Sequence, residues 1–134
     1  MKLAANIVGA LLGLMFIAFS VMFFVMVFTG KMKTPEGMVL TPEAVKFNES
    51  IGITGYMFVV KICELVGGIL VAIPKIRNFG LLLLGPVIVN IACYHVFLQK
   101  DGFQGATLVT LLVLGGMALF LLWAGREKFC ALKN

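Results

Sequence analysis

Four long apolar runs constrain what this chain can fold into more than any other feature. Crossing a hydrocarbon core of about 30 Å takes about 20 mostly apolar helical residues. Residues 3–28, 55–73, 79–98 and 103–124 each meet that requirement. Of the 134 residues in the chain, 61% are hydrophobic and 13% are charged, whereas soluble domains contain roughly 25% charged residues. The sequence therefore predicts an integral membrane protein.

The connectors between these runs predict the topology. Residues 74–78 and 99–102 are so short that the helices they join must run antiparallel. The first connector is long and polar, and within it Thr41 can cap a helix that has Pro42 at its first position. We therefore expect a single all-α domain covering the whole chain. It is an antiparallel bundle of four transmembrane helices, with a short interfacial helix from Pro42 to Ser50 in the first connector.

The basic residues give the chain a formal net charge of +5. They are scattered through the connectors and form no stripe or aromatic-interleaved patch, so the sequence does not indicate nucleic-acid binding. By the positive-inside rule, their distribution predicts the orientation instead. One side of the membrane carries Lys2, Lys75, Arg77, Arg126, Lys128 and Lys133, and the other carries Lys31, Lys33, Lys46 and Lys100. Both termini are therefore expected in the cytoplasm.

A lysine and a glutamate, Lys61 and Glu64, lie in the middle of the second apolar run. Each costs roughly 2.5 to 3.5 kcal/mol at the centre of a spanning helix, and the apolar residues around them, each favourable by about 0.3 to 0.6 kcal/mol, barely offset that. Both charges should therefore face the protein interior, where residues three apart on a helix can pair directly. The pair is either a structural ion pair or a buried carboxylate that binds a substrate group or takes part in proton movement.

The third run carries three further polar candidates, Asn90, Tyr94 and His95. At 1.5 Å per residue, Asn90 lies about 12 Å and Lys61 about 14 Å from the outer surface, so the two residues are level. Tyr94 either lines the interior with Asn90 or belongs to an interfacial aromatic belt. His95 either bonds a headgroup, loop or water, or handles a ligand or proton. Pro86 removes a helical hydrogen bond and is expected to kink the helix beside Asn90.

The sequence also contains a small-residue motif in the first apolar run and three cysteines. Gly9 and Gly13 form a GxxxG spacing that suits close helix packing, within this chain or in a homo-oligomer. The three cysteines contain no CxxC motif, which predicts free, mostly buried thiols without a disulfide or zinc site. A single histidine excludes a multi-histidine metal or haem site within one chain. The cysteines are Cys63, Cys93 and Cys130.

Three segments of the sequence resemble the DoxX family of small membrane proteins: "PEAVKF" at residues 42–47, "KxxELxGG" at 61–68 and "LLGPVIVNIxxYHxFL" at 83–98. The first and last apolar runs are similar to that family only in hydropathy and position. The resemblance implies a four-helix bundle in the bacterial inner membrane. The residues it carries over by motif are Lys61, Glu64, Gly67, Gly68, Pro86, Asn90 and His95, with the glycines and the proline expected in helix packing.

Two classes of function follow from the resemblance. Some family members are subunits of thiosulfate:quinone or superoxide-detoxifying oxidoreductase systems, which implies a quinone in the polar interior, no covalently bound cofactor and a redox partner protein. Distant relatives are similar to chaperones that assemble receptors, which implies a non-enzymatic scaffold with a client membrane protein. A solute or proton pathway is disfavoured because no inverted repeat is visible. Whether the chain itself catalyses a reaction is left open.

Overall fold

The computed structural model describes residues 1–30 and 39–130. Over these ranges the chain is all-α, as predicted, with no strand. A π-helical segment, Tyr94–Gln99, continues the fourth helix without a break. The α-helices are α1 (Lys2–Phe28), α2 (Pro42–Ile53), α3 (Tyr56–Ala72), α4 (Arg77–Cys93), α5 (Gly105–Ala124) and the short α6 (Arg126–Cys130).

Among the described residues, three helices are long and apolar enough to cross a membrane. They are α1 with 27 residues, α4 with its π segment at 23 residues, and α5 with 20 residues. Helix α3 lies where the second span is predicted and has 17 residues, so it extends about 25 Å. It joins α2 through an 86° bend, and the two together supply a fourth span if they are counted as one.

Helix α2 begins as the sequence predicts. The Thr41 hydroxyl accepts a hydrogen bond from the Ala44 main-chain N–H at 3.2 Å, and Pro42 occupies the first turn. The helix continues three residues beyond Ser50 to Ile53. Thr41 also ties α2 to the π segment, because its hydroxyl donates to the Leu98 carbonyl oxygen. The preceding part of the connector, residues 31–38, lies outside the described residues.

Glycines allow α1, α3 and α4 to pack closely. A Cβ added to Gly68 would lie 2.9 Å from the Gly13 carbonyl oxygen and 3.1 Å from Cβ of Phe16, and one added to Gly67 would lie 2.7 Å from Leu84. The GxxxG spacing of α1 is thus used within the chain. Its other glycine has a different neighbour, because a Cβ on Gly9 would lie 2.5 Å from Nε of Arg77.

The interior is apolar and so is much of the outer surface. The largest fully buried side chains are Phe16, Leu12, Leu84, Leu121, Val71 and Ser20. Large apolar side chains such as Leu3, Val59 and Phe79 are more than half exposed, as expected of helices in contact with lipid.

Three sequence expectations need comment. Arg77, counted among the connector charges, is the first residue of α4 and is buried at 9% exposure. Cys93 is exposed, so the expectation of mostly buried thiols is wrong for this residue, although Cys63 is half-buried. Helix α4 runs through Pro86 without interruption, and the proline side chain is exposed. The side chain of Cys130 lies outside the described part of the structure.

Candidate functional site

The Lys61–Glu64 pair forms inside the bundle. Lys61 Nζ lies 2.7 Å from Oε2 of Glu64, and their side chains are 17% and 3% exposed. The same glutamate oxygen accepts a weaker hydrogen bond from the Ser20 hydroxyl of α1 at 3.5 Å. Lys61 Nζ also lies 5.8 Å from the ring centroid of Phe23, which is a cation–π distance. The carboxylate is therefore held by two helices.

The local sequence explains why Glu64 is buried and Lys61 is only partly so. Gly68 follows Glu64 by four residues on the same face of α3, and its close contact with Gly13 brings α1 over that face. Glu64 then lies beneath α1 and beside Ser20, which is itself fully buried. Lys61 lies about one turn nearer the amino-terminal end of α3, at the edge of this contact, and part of its side chain stays accessible.

A cavity of about 390 Å³ lies against this pair, and we call it the Glu64 pocket. Its walls are largely apolar and come from α1, α2, α3, α4 and α5, with Phe16, Phe19, Phe47 and Ile51 among them. The structure brings all five sequence-predicted polar residues to this one cavity. The polar lining residues include Lys61, Glu64, Asn90, Tyr94, His95 and Thr110.

Asn90 lines the pocket without completing the ion pair. Its side chain is exposed, and within the described residues it makes no hydrogen bond to Lys61 or Glu64. The polar lining of the Glu64 pocket therefore has two parts: the Lys61–Glu64 ion pair on α3 and the accessible Asn90 amide on α4. Because the Asn90 amide is accessible, it can form hydrogen bonds to a ligand without breaking its contacts to Lys61 or Glu64, since it has none.

Tyr94 and His95 lie at the rim of the pocket, where the π segment begins. The Tyr94 hydroxyl accepts a hydrogen bond from Nδ2 of Asn48 at 2.9 Å. His95 Nδ1 lies 2.8 Å from Oδ1 of Asp101, whose other oxygen accepts from the Thr107 hydroxyl at 3.1 Å. His95 thus bonds a connector residue, one of the partners expected for it, and this contact orients its ring. Its Nε2 has no hydrogen-bond partner within residues 1–30 and 39–130.

Sequence reasoning missed several contributors to the site. Ser20 was detectable, because it is an isolated polar residue inside a long apolar run. Asn48 was not, because its contact with Tyr94 depends on α2 folding back over the end of α4. Asp101 sat in a connector four residues long, and nothing in that stretch indicated that it would hold His95. Thr110 of α5 reaches the cavity only through the packing of the bundle.

The described residues contain no group of three or more His, Cys, Asp or Glu side chains placed to hold a metal ion. They also leave no buried side-chain nitrogen or oxygen without a hydrogen-bond partner. The chain matches no protein-family model, no characterised protein sequence and no solved structure. Functional inference must therefore start from the chain's own residues and from the Glu64 pocket.

Proposed function

We propose that this chain is a DoxX-type membrane protein that binds the headgroup of a quinone in the Glu64 pocket, as the membrane subunit of an oxidoreductase system. In this proposal α1, α3, α4 and α5 cross the bilayer as an antiparallel four-helix bundle. Helix α2 lies at the interface and both termini are in the cytoplasm. The supporting observation is that a buried ion pair, a tyrosine, a histidine and an amide line one cavity with apolar walls.

The size and lining of the cavity support this choice of ligand. Small-molecule pockets of about 300 to 1,000 Å³ combine apolar walls with a few converging polar groups, and the Glu64 pocket has about 390 Å³. A quinone headgroup is a flat apolar ring that carries two carbonyl acceptors. The pocket offers donors for such acceptors in the Lys61 ammonium and the Asn90 amide, and Nε2 of His95, whose Nδ1 faces Asp101, can accept from a quinol hydroxyl.

In the Lys61–Glu64 pair, Lys61 can donate a proton to the ligand as well as a hydrogen bond. Reduction of a quinone to a quinol adds two electrons and two protons. A partner redox protein supplies the two electrons. Lys61 is placed to deliver one proton to an oxygen of the reduced quinone, and water supplies the second proton and reprotonates Lys61. Glu64 stays beneath it as the counter-charge that keeps an ammonium at this depth.

Ligand binding is tested by thermal unfolding of the purified protein in mild detergent, with decylubiquinone and menadione as probes. Both probes are expected to raise the unfolding temperature in a saturable way. The charge-neutral double variant Lys61→Met/Glu64→Gln is expected to lose that shift. A matched control exists in α2, because Lys46 and Glu49 have the same spacing and are exposed. Lys46→Met/Glu49→Gln should keep the full shift.

Two results would contradict the proposal. One is an unfolding temperature that neither quinone changes. The other is an equal loss of the shift in both double variants, since that would indicate a general effect of charge on the detergent-solubilised protein. A stoichiometric redox protein recovered by mild-detergent pull-down would support the subunit role.

A scaffold for a client membrane protein is the second candidate. It is favoured by two glycines of α5, Gly115 and Gly116, because nothing lies within 4 Å of a Cβ built at either position. Small residues with open space beside them let a second transmembrane helix approach closely. Gly116→Leu should then release a co-purifying partner without unfolding the chain. Recovery of a homo-oligomer alone would count against this candidate.

A further inference from the structure

A second cavity lies at the opposite end of the bundle, where α1 and α4 begin and α5 ends. It has a volume of about 510 Å³, and we call it the Arg77 pocket. Three cationic side chains and one carboxylate line it, together with two amides and a tryptophan. These residues are Lys2, Arg77, Arg126, Glu127, Asn6, Asn78 and Trp123.

Arg77 is fixed in position by three helices. Its Nε donates to the Val71 carbonyl oxygen at 3.2 Å, and its Nη2 donates to Oδ1 of Asn6 at 3.0 Å. Gly9 leaves the space in which the guanidinium lies, since a Cβ there would be 2.9 Å from Cζ. A guanidinium has five N–H donors, and these two bonds use two of them. The others have no partner among the described residues, so they are available to an anion in the pocket.

The remaining lining residues place this site at a lipid headgroup layer. The Arg126 guanidinium lies 5.1 Å from the ring centroid of Trp123, and the tryptophan is 51% exposed. Tryptophan is enriched at membrane interfaces because one part of its ring is apolar and its N–H is polar. Lys2 is exposed on the opposite wall, at the start of α1. Apolar lining from Ala5 and Leu121 continues below the charges.

We propose that the Arg77 pocket binds the phosphate group of an anionic phospholipid. A guanidinium matches two phosphate oxygens at once, and basic pockets between transmembrane helices are suited to acidic headgroups. The three side-chain cations outnumber the one carboxylate by two, so a monoanionic headgroup lowers the positive charge of the pocket without cancelling it. Arg77 holds the phosphate, together with Lys2 of α1 and Arg126 at the start of α6.

The test uses the full-length protein in nanodiscs of equal parts phosphatidylglycerol and phosphatidylcholine, with co-purified lipid counted after detergent extraction. Wild-type protein should retain phosphatidylglycerol preferentially. Lys2→Gln/Arg126→Gln should reduce that preference by about fivefold for each cation removed. Arg77 is left unchanged because it also holds three helices together. The control, Lys75→Gln/Lys46→Gln, removes two exposed charges that do not line the pocket, and it should retain the wild-type preference.

Three outcomes would overturn the proposal. Equal retention of the two lipids by wild-type protein would show that the site does not select an anionic headgroup. An equal loss of preference in the control would place the effect in the general charge of the protein. If inorganic phosphate raises the unfolding temperature as much as phosphatidylglycerol does, the pocket binds free phosphate and the lipid assignment is wrong.

Discussion

Within the described residues the spacing Lys-x-x-Glu occurs twice, in α2 and in α3, and the two copies have opposite surroundings. In α2, Lys46 and Glu49 are both exposed, and no ion pair joins them in the described structure. In α3, Lys61 and Glu64 lie 2.7 Å apart, and Glu64 is 2% exposed. Identical spacing on two helices thus gives a solvated surface in one place and a buried charge pair in the other.

The difference comes from neighbouring residues. Helix α3 continues into Gly67 and Gly68, which bring α1 and α4 against it, and α1 contributes the buried hydroxyl of Ser20. Helix α2 has no such partner over its charged face. The spacing of two residues on a helix allows their side chains to form an ion pair. Burial by neighbouring helices is what favours that pair over solvation of the two charges by water. Equivalent substitutions in the two helices should therefore have different effects.

The largest effect is expected when Lys61 is removed. Lys61→Met leaves the Glu64 carboxylate buried without its cation, and breaking a buried pair in this way costs about 3 to 5 kcal/mol. Lys46→Met, on the exposed face of α2, should stay within about 0.5 kcal/mol of wild type. The free energy of unfolding in mixed detergent micelles measures both values.

The double variant Lys61→Met/Glu64→Gln distinguishes the effect of an unpaired Glu64 charge from the effect of replacing the lysine side chain. Because it leaves no unpaired charge, it should recover most of the stability that Lys61→Met loses. If Lys61→Met proves as mild as Lys46→Met, Glu64 is not buried as described here.

A smaller effect is expected from filling the space at the α1–α3 contact. In Gly68→Ala the new methyl group would meet the Gly13 carbonyl oxygen and the Phe16 side chain, and overpacking of this kind costs about 1 to 3 kcal/mol. In α2, a Cβ on Gly52 meets nothing within 4 Å. Gly52→Ala should therefore be neutral or stabilise the helix by up to about 1 kcal/mol. Thermal unfolding of the two variants would reveal the opposite signs, and a stable Gly68→Ala would contradict the close packing.

Removing single hydroxyl groups should change stability less. Ser20→Ala removes the second hydrogen bond to Glu64 and should cost about 0.5 to 1.5 kcal/mol. In α2, the Ser50 hydroxyl donates only to the Lys46 carbonyl oxygen within its own exposed helix, so Ser50→Ala should change stability by less than about 0.5 kcal/mol. Equal losses in these two variants would show that Glu64 does not use the Ser20 hydroxyl.

The smallest effect concerns the exposed Glu43 at the start of α2. Its own main-chain N–H and, after that, Lys100 at 3.2 Å hold the pKa of the Glu43 carboxyl below its ordinary value of 4.5. A carboxyl with a lowered pKa stabilises the fold above its unfolded-state pKa, and this contribution is lost as the pH falls through the folded-state pKa. The unfolding temperatures of wild type and Glu43→Gln should therefore differ slightly at neutral pH and converge in acid, once the pH has fallen below the folded-state pKa. A difference that persists in acid would contradict this assignment.

Much of the fold could be predicted because it depends on local rules. Apolar runs predicted the helices that are long enough to cross a membrane, Thr41 and Pro42 predicted the start of α2, and i,i+3 spacing predicted the Lys61–Glu64 contact. The π segment could not be predicted in this way. Its hydrogen bonds span five residues instead of four, and whether a helix end adopts them depends on what it packs against. In this chain α2 supplies that contact through Thr41 and Asn48.

The site was only partly predictable for the same reason. All five polar candidates reach one cavity, yet the residues that orient them, Asn48 and Asp101, come from segments that the sequence presents as connector. The opposite error occurred at Arg77, which reads as a surface charge and is buried. Its partners are 6 and 71 residues away in the sequence, and no local pattern connects them.

That separation has a consequence for biosynthesis. At about 5 to 20 residues per second, a ribosome needs roughly 4 to 14 s to synthesise the 71 residues from Asn6 to Arg77. During that interval α1, a candidate membrane span, exists without its guanidinium partner, so its insertion would depend on its own lipophilicity. The Asn6–Arg77 contact that fixes the amino-terminal helix can form only after the start of α4 has emerged.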